Sequence, residues 1–159
     1  MENNMNYNDE VTDTLNDLIQ INNDRIEGYE KALEDTKDGS HYDTLFNEMI
    51  SQSKRYKQQL IQEVRTTGGG ADWNETTNRG KIYRVWMDVK SAFTGKSDKS
   101  ALELCEYGED AAQKAYNEAL TADANLPESV RSLLISQKNE LKESHDTIKR
   151  QRDMQKAQA

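Results

Sequence analysis

The chain has 159 residues, a formal charge of −8 and an isoelectric point near 4.9, with 34% hydrophobic and 31% charged residues and a single proline. The length fits one domain, and so acidic a chain is not expected to bind nucleic acid or an anionic membrane. The low apolar content disfavours a β-sandwich or an α/β fold and favours a helical bundle with narrow apolar stripes and solvated outer faces.

The sequence also argues against a disulfide-bonded or cysteine-rich zinc protein, a membrane-spanning protein and a secreted protein. The single cysteine, Cys105, excludes an intrachain disulfide and a cysteine-rich zinc site. No apolar run approaches the roughly 20 residues of a membrane span. The N-terminal segment MENNMNYNDE lacks the basic and apolar parts of a signal peptide, which predicts the cytoplasm. No pattern identifies a small-molecule substrate or a catalytic residue, and this favours a non-enzymatic protein.

Four long helices are predicted, because apolar residues recur at spacings of three and four along most of the chain. The predicted helices are 9–36, 41–66, 99–122 and 127–153, between flexible termini at 1–8 and 154–159. The stop between the first two helices is short, so they should form an antiparallel hairpin. The last two should form a second hairpin, with Pro127 in the first turn of its second helix.

The connection between the two hairpins, 67–98, is long, and GKIYRVWMDVKSAF at 80–93 reads as a short extra helix within it. Two hairpins of long helices joined by one long crossover is the ferritin-like arrangement of a four-helix bundle. The sequence therefore predicts a single all-α domain over 9–153 with that topology.

A polar residue interrupts the apolar stripe near the middle of each long helix. The four residues are Asn22, Gln52, Glu109 and Gln137, and the tyrosines nearby on the same faces are Tyr29, Tyr56 and Tyr116. Mid-helix positions meet in one layer whichever way the helices point. We therefore predict a buried hydrogen-bonded layer that sets the helix register, as a buried Asn does in coiled coils. Glu109 is expected to be its only charged member.

The alternative is a metal centre. In di-iron ferritin-like proteins this layer holds a Glu from each of two helices and a Glu-x-x-His from each of the other two. Neither histidine, His41 or His145, has a glutamate three residues before it, so the usual motif is absent. A metal site would then need Glu109 and ligands brought in by tertiary geometry. The candidates are Glu106, Glu48, Glu27, Glu140 and His145. No cofactor is expected on the first interpretation; iron or another divalent metal is expected on this one.

Segment 79–99 is the one basic region of the acidic chain, and aromatic residues are interleaved with its charges. Arg84, Trp86 and Lys90 would suit a docking surface for an acidic partner or a second copy of the chain. In the simpler interpretation, Trp86 and its neighbours cover one side or end of the bundle. A homo-oligomer is compatible with either.

Four segments carry a resemblance to a known family. They are LNDLIQINNDRIEGYEKALEDT, YRVWMDVKSAFTGK, CEYGEDAAQKAY and SQKNELKESHDTIK. Over about 11–153 the chain resembles the bacterial PA2169-type four-helix-bundle proteins, also called domain of unknown function 2383. The resemblance implies a ferritin-like bundle in a small bacterial protein, and it implies no reaction. The leading hypothesis is a non-enzymatic, stress-associated, self-associating bundle; the second is a metal-binding bundle, with an oxidoreductase as one form of it.

Overall fold

A computed structural model describes residues 2–36, 42–67, 97–122 and 126–158. Over these ranges the chain forms four helices and no strand, which confirms the prediction of an all-α four-helix bundle. The helices are α1 (Glu2–Asp35), α2 (Tyr42–Thr67), α3 (Asp98–Ala122) and α4 (Glu128–Gln158). None of these four helices has an apolar stretch long enough to cross a membrane. The predicted short helix at 80–93 lies outside the described residues.

The outer ends of α1 and α4 extend further than predicted. Helix α1 begins at Glu2 rather than near Asp9, and α4 continues to Gln158 rather than ending near Asp153. Neither terminal segment contains Gly or Pro, so nothing in its sequence stops a helix. At the start of α3, Ser97 Oγ accepts a hydrogen bond from the backbone N–H of Ser100 at 3.1 Å, which is the geometry of an N-cap.

Cross-helix hydrogen bonds define the direction of each helix. In α1, Asn22 bonds Tyr116 of α3, while Tyr29, seven residues later, bonds Glu109, seven residues earlier. Helices α1 and α3 are therefore antiparallel. The other neighbouring helices show the same pattern, in the pairs Thr12–Thr67 and Thr36–Asp43 between α1 and α2, and Tyr116–Gln137 and Glu106–Arg152 between α3 and α4.

These directions make α1 and α4 parallel to each other and opposite to α2 and α3. Helix α2 ends beside the start of α1, where Val64 and Val11 share one apolar cluster. Helix α3 begins at the other end of the bundle, where Leu102 and Ala32 share a second cluster. The order is thus up, down, down, up along the chain.

The apolar core is divided into two clusters, and each takes residues from all four helices. The first contains Leu15, Leu18, Ile19, Tyr56, Leu60, Val64, Ala112, Tyr116, Val130, Leu134 and Leu141, among others. The second contains Tyr29, Ala32, Tyr42, Phe46, Met49, Ile50, Ala101, Leu102, Cys105 and Ile148. Five of the buried polar side chains fall, along their helices, between residues of the two clusters, and a sixth, Gln137, is buried within the first; the five are Asn22, Arg25, Ser53, Glu109 and Ser144. We refer to these six as the polar layer.

The four helices do not pack equally closely. Helix α1 lies against both α2 and α3, and α3 lies against α4, whereas α2 and α4 approach each other closely at few positions. Among the described residues, four pairs of polar side chains join α2 to α4 by hydrogen bonds. They are Tyr42–Gln155, Gln52–Ser144, Arg55–Glu140 and Gln59–Gln137. The two helices are therefore antiparallel and joined by a polar seam, which we call the α2–α4 seam.

A candidate functional site in the polar layer

A buried ion pair joins α1 to α3 at the centre of the polar layer. Arg25 Nε donates a hydrogen bond to Glu109 Oε1 at 2.6 Å, and the two side chains are 2% and 0% exposed. The expectation that Glu109 is the only charged member of the layer is therefore wrong. Arg25 follows Asn22 by three residues and precedes Tyr29 by four, so it belongs to the same face of α1. That spacing is the signal in the sequence from which Arg25 could have been assigned to the layer.

The remaining donors of the Arg25 guanidinium are also directed at protein groups. Nη1 donates to Ser53 Oγ at 2.8 Å and to the carbonyl of Met49 at 3.3 Å. Nη2 contacts the Met49 sulfur at 3.4 Å, and the Arg25 Cζ lies 5.3 Å from the centre of the Tyr29 ring. A buried charge is tolerated only when its hydration is replaced in this way. Helix α2 thus supplies the groups that contact the Arg25 guanidinium on the side away from Glu109.

The Glu109 carboxylate is bonded through one of its oxygens. Oε1 accepts from Arg25 and from the Tyr29 hydroxyl at 2.7 Å. Oε2 is buried and has no hydrogen-bond partner among the described residues. Two donors on a single oxygen hold the carboxylate in one orientation.

The pKa values of the two donors are shifted in the directions that keep both protonated. Burial lowers the pKa of Arg25, but the charge of Glu109 and its hydrogen bond more than offset this, so the pKa is raised. Burial, followed by the Glu109 charge, raises the pKa of Tyr29 well above its usual value. Arg25 is therefore a permanent cation, and the Tyr29 hydroxyl is a hydrogen-bond donor at all ordinary pH values.

The second part of the polar layer is a chain of hydrogen bonds through all four helices. Asn22 Nδ2 donates to the Tyr116 hydroxyl at 3.0 Å, which donates to Gln137 Oε1 at 2.7 Å. Gln137 Nε2 donates to Gln59 Oε1 at 3.0 Å and reaches the Tyr56 carbonyl at 3.4 Å. This chain passes from α1 through α3 and α4 to α2. Each side chain in this chain of hydrogen bonds therefore satisfies a polar group of the next one.

The remaining members of the predicted layer lie at its edges. Gln52 is half-buried, and its side-chain oxygen accepts a hydrogen bond from Ser144 at 3.0 Å. Tyr56 is fully buried, but its hydroxyl has no hydrogen-bond partner among the described residues. The structure thus groups Asn22, Tyr116 and Gln137 in one network and Tyr29 and Glu109 in another. The residues that sequence reasoning missed are Arg25, Ser53 and Gln59.

The candidate metal ligands are placed apart and mostly paired with other groups. Glu106 bonds Arg152 at 2.7 Å, Glu140 bonds Arg55 at 2.9 Å, and His145 bonds Asp110. Glu27 and Glu48 are exposed. Within the described ranges, no three or more His, Cys, Asp or Glu side chains are grouped so that they could hold a metal ion. The proposed docking residues Arg84, Trp86 and Lys90 lie outside the described residues.

Cys105 lies one turn before Glu109 on α3 and is buried in the second apolar cluster. Burial, and then the charge of Glu109, raises the pKa of its thiol well above the usual value. A thiol held in the protonated form is a poor nucleophile and a poor metal ligand. Cys105 is therefore a packing residue of the cluster that borders the ion pair.

His145 joins α3 and α4 at the surface. Its Nε2 contacts Asp110 of α3 at 2.5 Å, and its Nδ1 contacts Asp146 of its own helix at 3.2 Å. Burial lowers the pKa of His145, but the hydrogen bond to Asp146 and the charge and hydrogen bond of Asp110 outweigh it, so the pKa is raised. The imidazolium form is therefore the one that links the two helices.

We expect the contribution of His145 to stability to depend on pH. Because the pKa is higher in the folded state, the contribution is fully present below about pH 6.5 and is lost as the pH rises through the folded pKa. In urea unfolding, His145→Gln should lower the free energy of unfolding more at pH 5.5 than at pH 8.5. The difference should be below about 1 kcal/mol, because Asp110 and Asp146 are exposed. In an Asp110→Asn background part of this difference should disappear, while the part due to Asp146 remains; an unchanged difference would contradict the assignment.

The fold and the site together define a four-helix bundle with an ion pair buried between two apolar clusters. The chain belongs to the family described as domain of unknown function (DUF2383), which matches residues 10–122. This confirms the predicted resemblance to domain of unknown function 2383 over the matched residues; its PA2169-type and ferritin-like parts stay predictions. The match covers α1, from Glu10, to the end of α3, and it does not include α4. A comparison with curated proteins found no match.

Proposed function

We propose that the chain is a non-enzymatic, ferritin-like bundle in which the Arg25–Glu109 ion pair takes the place of a metal centre. The observation that carries the proposal is the guanidinium of Arg25, seated 2.6 Å from the one carboxylate of the layer. A cation supplied by the chain itself does there what a bound metal does in a carboxylate-rich bundle, which is to neutralise buried negative charge.

The helix directions support the ferritin-like part of the proposal. Helices α1 and α2 form one antiparallel pair, α3 and α4 form another, and α2 and α3 are parallel. Residues 68–97 connect these two pairs. Two hairpins with one long connection distinguish the ferritin-like bundle from the up-down-up-down bundle, in which every loop is short.

The charge of the layer supports the absence of a metal. One carboxylate and one guanidinium sum to zero, whereas a divalent ion is bound by a site with excess negative charge. A divalent ion near Glu109 would also be repelled by Arg25 within the same low-dielectric interior. The other network of the layer offers amides and tyrosine hydroxyls, which bind transition metals weakly.

On this proposal, the role of the ion pair is to fix the position of one hairpin relative to the other. It joins one hairpin to the other, because Arg25 belongs to α1 and Glu109 to α3. Sliding either helix by one turn would leave both charges buried without a partner, at a penalty of several kcal/mol. The pair therefore selects one register between the hairpins. Stress association, self-association and a cytoplasmic location stay predictions, because no contact in the described ranges bears on them.

A metal-loading experiment tests the proposal. After chelation and dialysis, the protein should bind no stoichiometric iron(II), manganese(II) or zinc(II), and its melting temperature should not change when these ions are added. A specific site saturated a hundredfold above its Kd would stabilise the fold by about 2.7 kcal/mol, which a thermal scan detects readily.

Two variants make the result specific. Glu109→Gln removes the only carboxylate of the layer, and His145→Gln removes the surface imidazole. Stoichiometric metal that is retained by the wild-type protein and by His145→Gln, but lost in Glu109→Gln, would overturn the proposal and establish a metal centre at Glu109.

A further inference from the structure

Several hydrogen bonds between the two hairpins occur in pairs that are related by exchanging the hairpins. Where α1 meets α3, Asn22 bonds Tyr116, and Tyr29 bonds Glu109. A shift of 87 positions along the chain carries Asn22 onto Glu109 and Tyr29 onto Tyr116. Each bond is therefore the counterpart of the other, which is the contact pattern of a two-fold interface.

The α2–α4 seam repeats this pattern with a shift of 85 positions. Gln52 bonds Ser144, and Gln59 bonds Gln137. The shift carries Gln52 onto Gln137 and Gln59 onto Ser144, so these two bonds are also counterparts of each other. A second face of the bundle thus has the two-fold pattern.

The middle of the seam marks the position of the axis. Arg55 bonds Glu140, and the same shift of 85 positions carries Arg55 onto Glu140. A contact that is its own counterpart lies on a two-fold axis. The contacts of both faces therefore agree on an approximate two-fold axis that relates the hairpin of α1 and α2 to the hairpin of α3 and α4.

The sequences of the two hairpins agree at the same shifts. The segment ISQ occurs at 50–52 of α2 and again at 135–137 of α4, and the pattern Y-x-x-A-L occurs at 29–33 of α1 and again at 116–120 of α3. Positions 22, 25, 28 and 29 of α1 are buried, and so are their counterparts 109, 112, 115 and 116. The two hairpins thus present similar surfaces to each other.

The two surfaces differ in charge at the axis. Arg25 lies midway between Asn22 and Tyr29, and its counterpart in α3 is Ala112; Asn22 itself corresponds to Glu109. One hairpin therefore supplies the guanidinium of the buried pair, and the other supplies the carboxylate. A hairpin paired with a copy of itself would bury two guanidinium groups without a carboxylate, or two carboxylates without a guanidinium. Either arrangement is strongly unfavourable.

From these observations we propose that the hairpins join through two versions of one recognition surface, and that Arg25 and Glu109 make each hairpin select the opposite version and reject its own. The partner that each surface fits is a hairpin of the same pattern with the complementary charge. The proposal rests on the structural role of the ion pair proposed above, and it extends that role from the register of the hairpins to the choice of hairpin. The tests below use no metal, so their failure is distinct from a positive result in the metal-loading experiment.

Moving the ion pair to its two-fold counterpart tests the similarity of the surfaces. One variant moves the carboxylate, and a second moves the guanidinium together with the hydroxyl that Ser53 offers it. A third variant, the complete transfer, combines both sets. The substitutions are Asn22→Glu and Glu109→Asn in the first set, and Arg25→Ala, Ala112→Arg and Lys138→Ser in the second.

The complete transfer restores an arginine–glutamate pair between the hairpins, whereas each partial transfer places both charges on one hairpin. Its unfolding equilibrium constant, measured in urea, should therefore be at least about tenfold lower than that of either partial transfer. A complete transfer that is no more stable than the partial transfers would overturn the two-fold relation of the surfaces.

Cross-linking on the axis tests the choice of version. A cysteine at position 55 faces residue 140 when unlike hairpins pair, and it faces the same cysteine of another chain only when two hairpins of α1 and α2 pair. Arg55→Cys is placed in a Cys105→Ala background, unfolded in urea, refolded at high concentration and treated with a short bismaleimide. Adding Arg25→Met/Glu109→Gln should raise the yield of covalent dimer several-fold, because like pairing then buries no unpaired charge.

Asn47→Cys is the matched control for this experiment. Asn47 is exposed on α2 and lies eight residues from Arg55, so two cysteines at this position do not face each other across the axis. Its dimer yield should be the same with and without Arg25→Met/Glu109→Gln. If the yield for Arg55→Cys does not change either, or if both yields rise equally, the ion pair does not determine which hairpins pair.

Discussion

Replacing Arg25 with methionine is expected to lower the free energy of unfolding by about 3–5 kcal/mol. The substitution preserves most of the aliphatic volume but leaves Glu109 as a buried carboxylate whose strongest partner is gone. It also removes the donor to Ser53. The loss is measured by urea unfolding followed by the helical circular dichroism signal, with the slope compared to verify two-state behaviour.

Two further variants identify the source of this loss. Arg55→Met removes the exposed pair with Glu140, and it should cost less than about 1 kcal/mol. In Arg25→Met/Glu109→Gln the buried anion is gone while an acceptor for Tyr29 remains, so this double variant should be more stable than Arg25→Met alone. A double variant as unstable as the sum of its single substitutions would show that the cost arises from packing rather than from the unpaired charge.

Tyr116→Phe is expected to destabilise the fold by about 1–3 kcal/mol, although it removes a single oxygen atom. That oxygen accepts from Asn22 and donates to Gln137, so its loss leaves two buried polar groups short of a partner. The same urea measurement serves here. Tyr107→Phe is the matched control: Tyr107 is on the same helix but 45% exposed, and its substitution should change stability by less than about 0.5 kcal/mol.

The coupling between Tyr116 and Gln137 can be isolated by a double-mutant cycle. If the hydroxyl acts through Gln137, then Tyr116→Phe/Gln137→Leu should lose less stability than the sum of the two single variants. Strict additivity would show that the two side chains contribute independently, and the hydrogen-bond chain would then not act as a unit.

The fold was largely accessible from sequence because long amphipathic helices carry a strong periodic signal. Glu109 and Gln137 were recognisable because each interrupts an otherwise apolar stripe at a regular position. The helix directions followed from the lengths of the connections, since short links produce antiparallel neighbours. These are local properties, and each can be read within a single helix or at a single turn.

Arg25 was missed for a physical reason. Helix α1 is buried on more than one face, as the unbroken run of buried residues from 18 to 25 shows, and a single-stripe interpretation assigns only one face to the core. Next to Arg25, Ile26 offers an apolar residue at an equally regular spacing, yet it is only half-buried. An isolated arginine on a helix is far more often exposed, so the assignment needed its partner, 84 residues away.

Ser53 and Gln59 were missed for a related reason. Both belong to α2, and each is polar, small or flexible enough to suit a solvated helix face. Ser53 is bonded by the guanidinium of Arg25 from α1, and Gln59 is bonded by the amide of Gln137 from α4. No local pattern in α2 encodes either partner. Polar residues of a core are recognisable only when their partners are known.

The division of the core into two clusters, each built from all four helices, has a consequence for how the chain folds. Neither hairpin can complete either cluster alone, so the native state also needs contacts between the hairpins, such as Tyr29–Glu109 and Asn22–Tyr116, which join residues 80 and 94 positions apart. Helical bundles fold fast when their contacts are local, and closing loops of this size is entropically unfavourable before the contacts form. We therefore expect the joining of the two hairpins, rather than the formation of their helices, to limit the folding rate. Joining them in the wrong register would leave the charged and amide groups between them without partners, so these groups favour the native register.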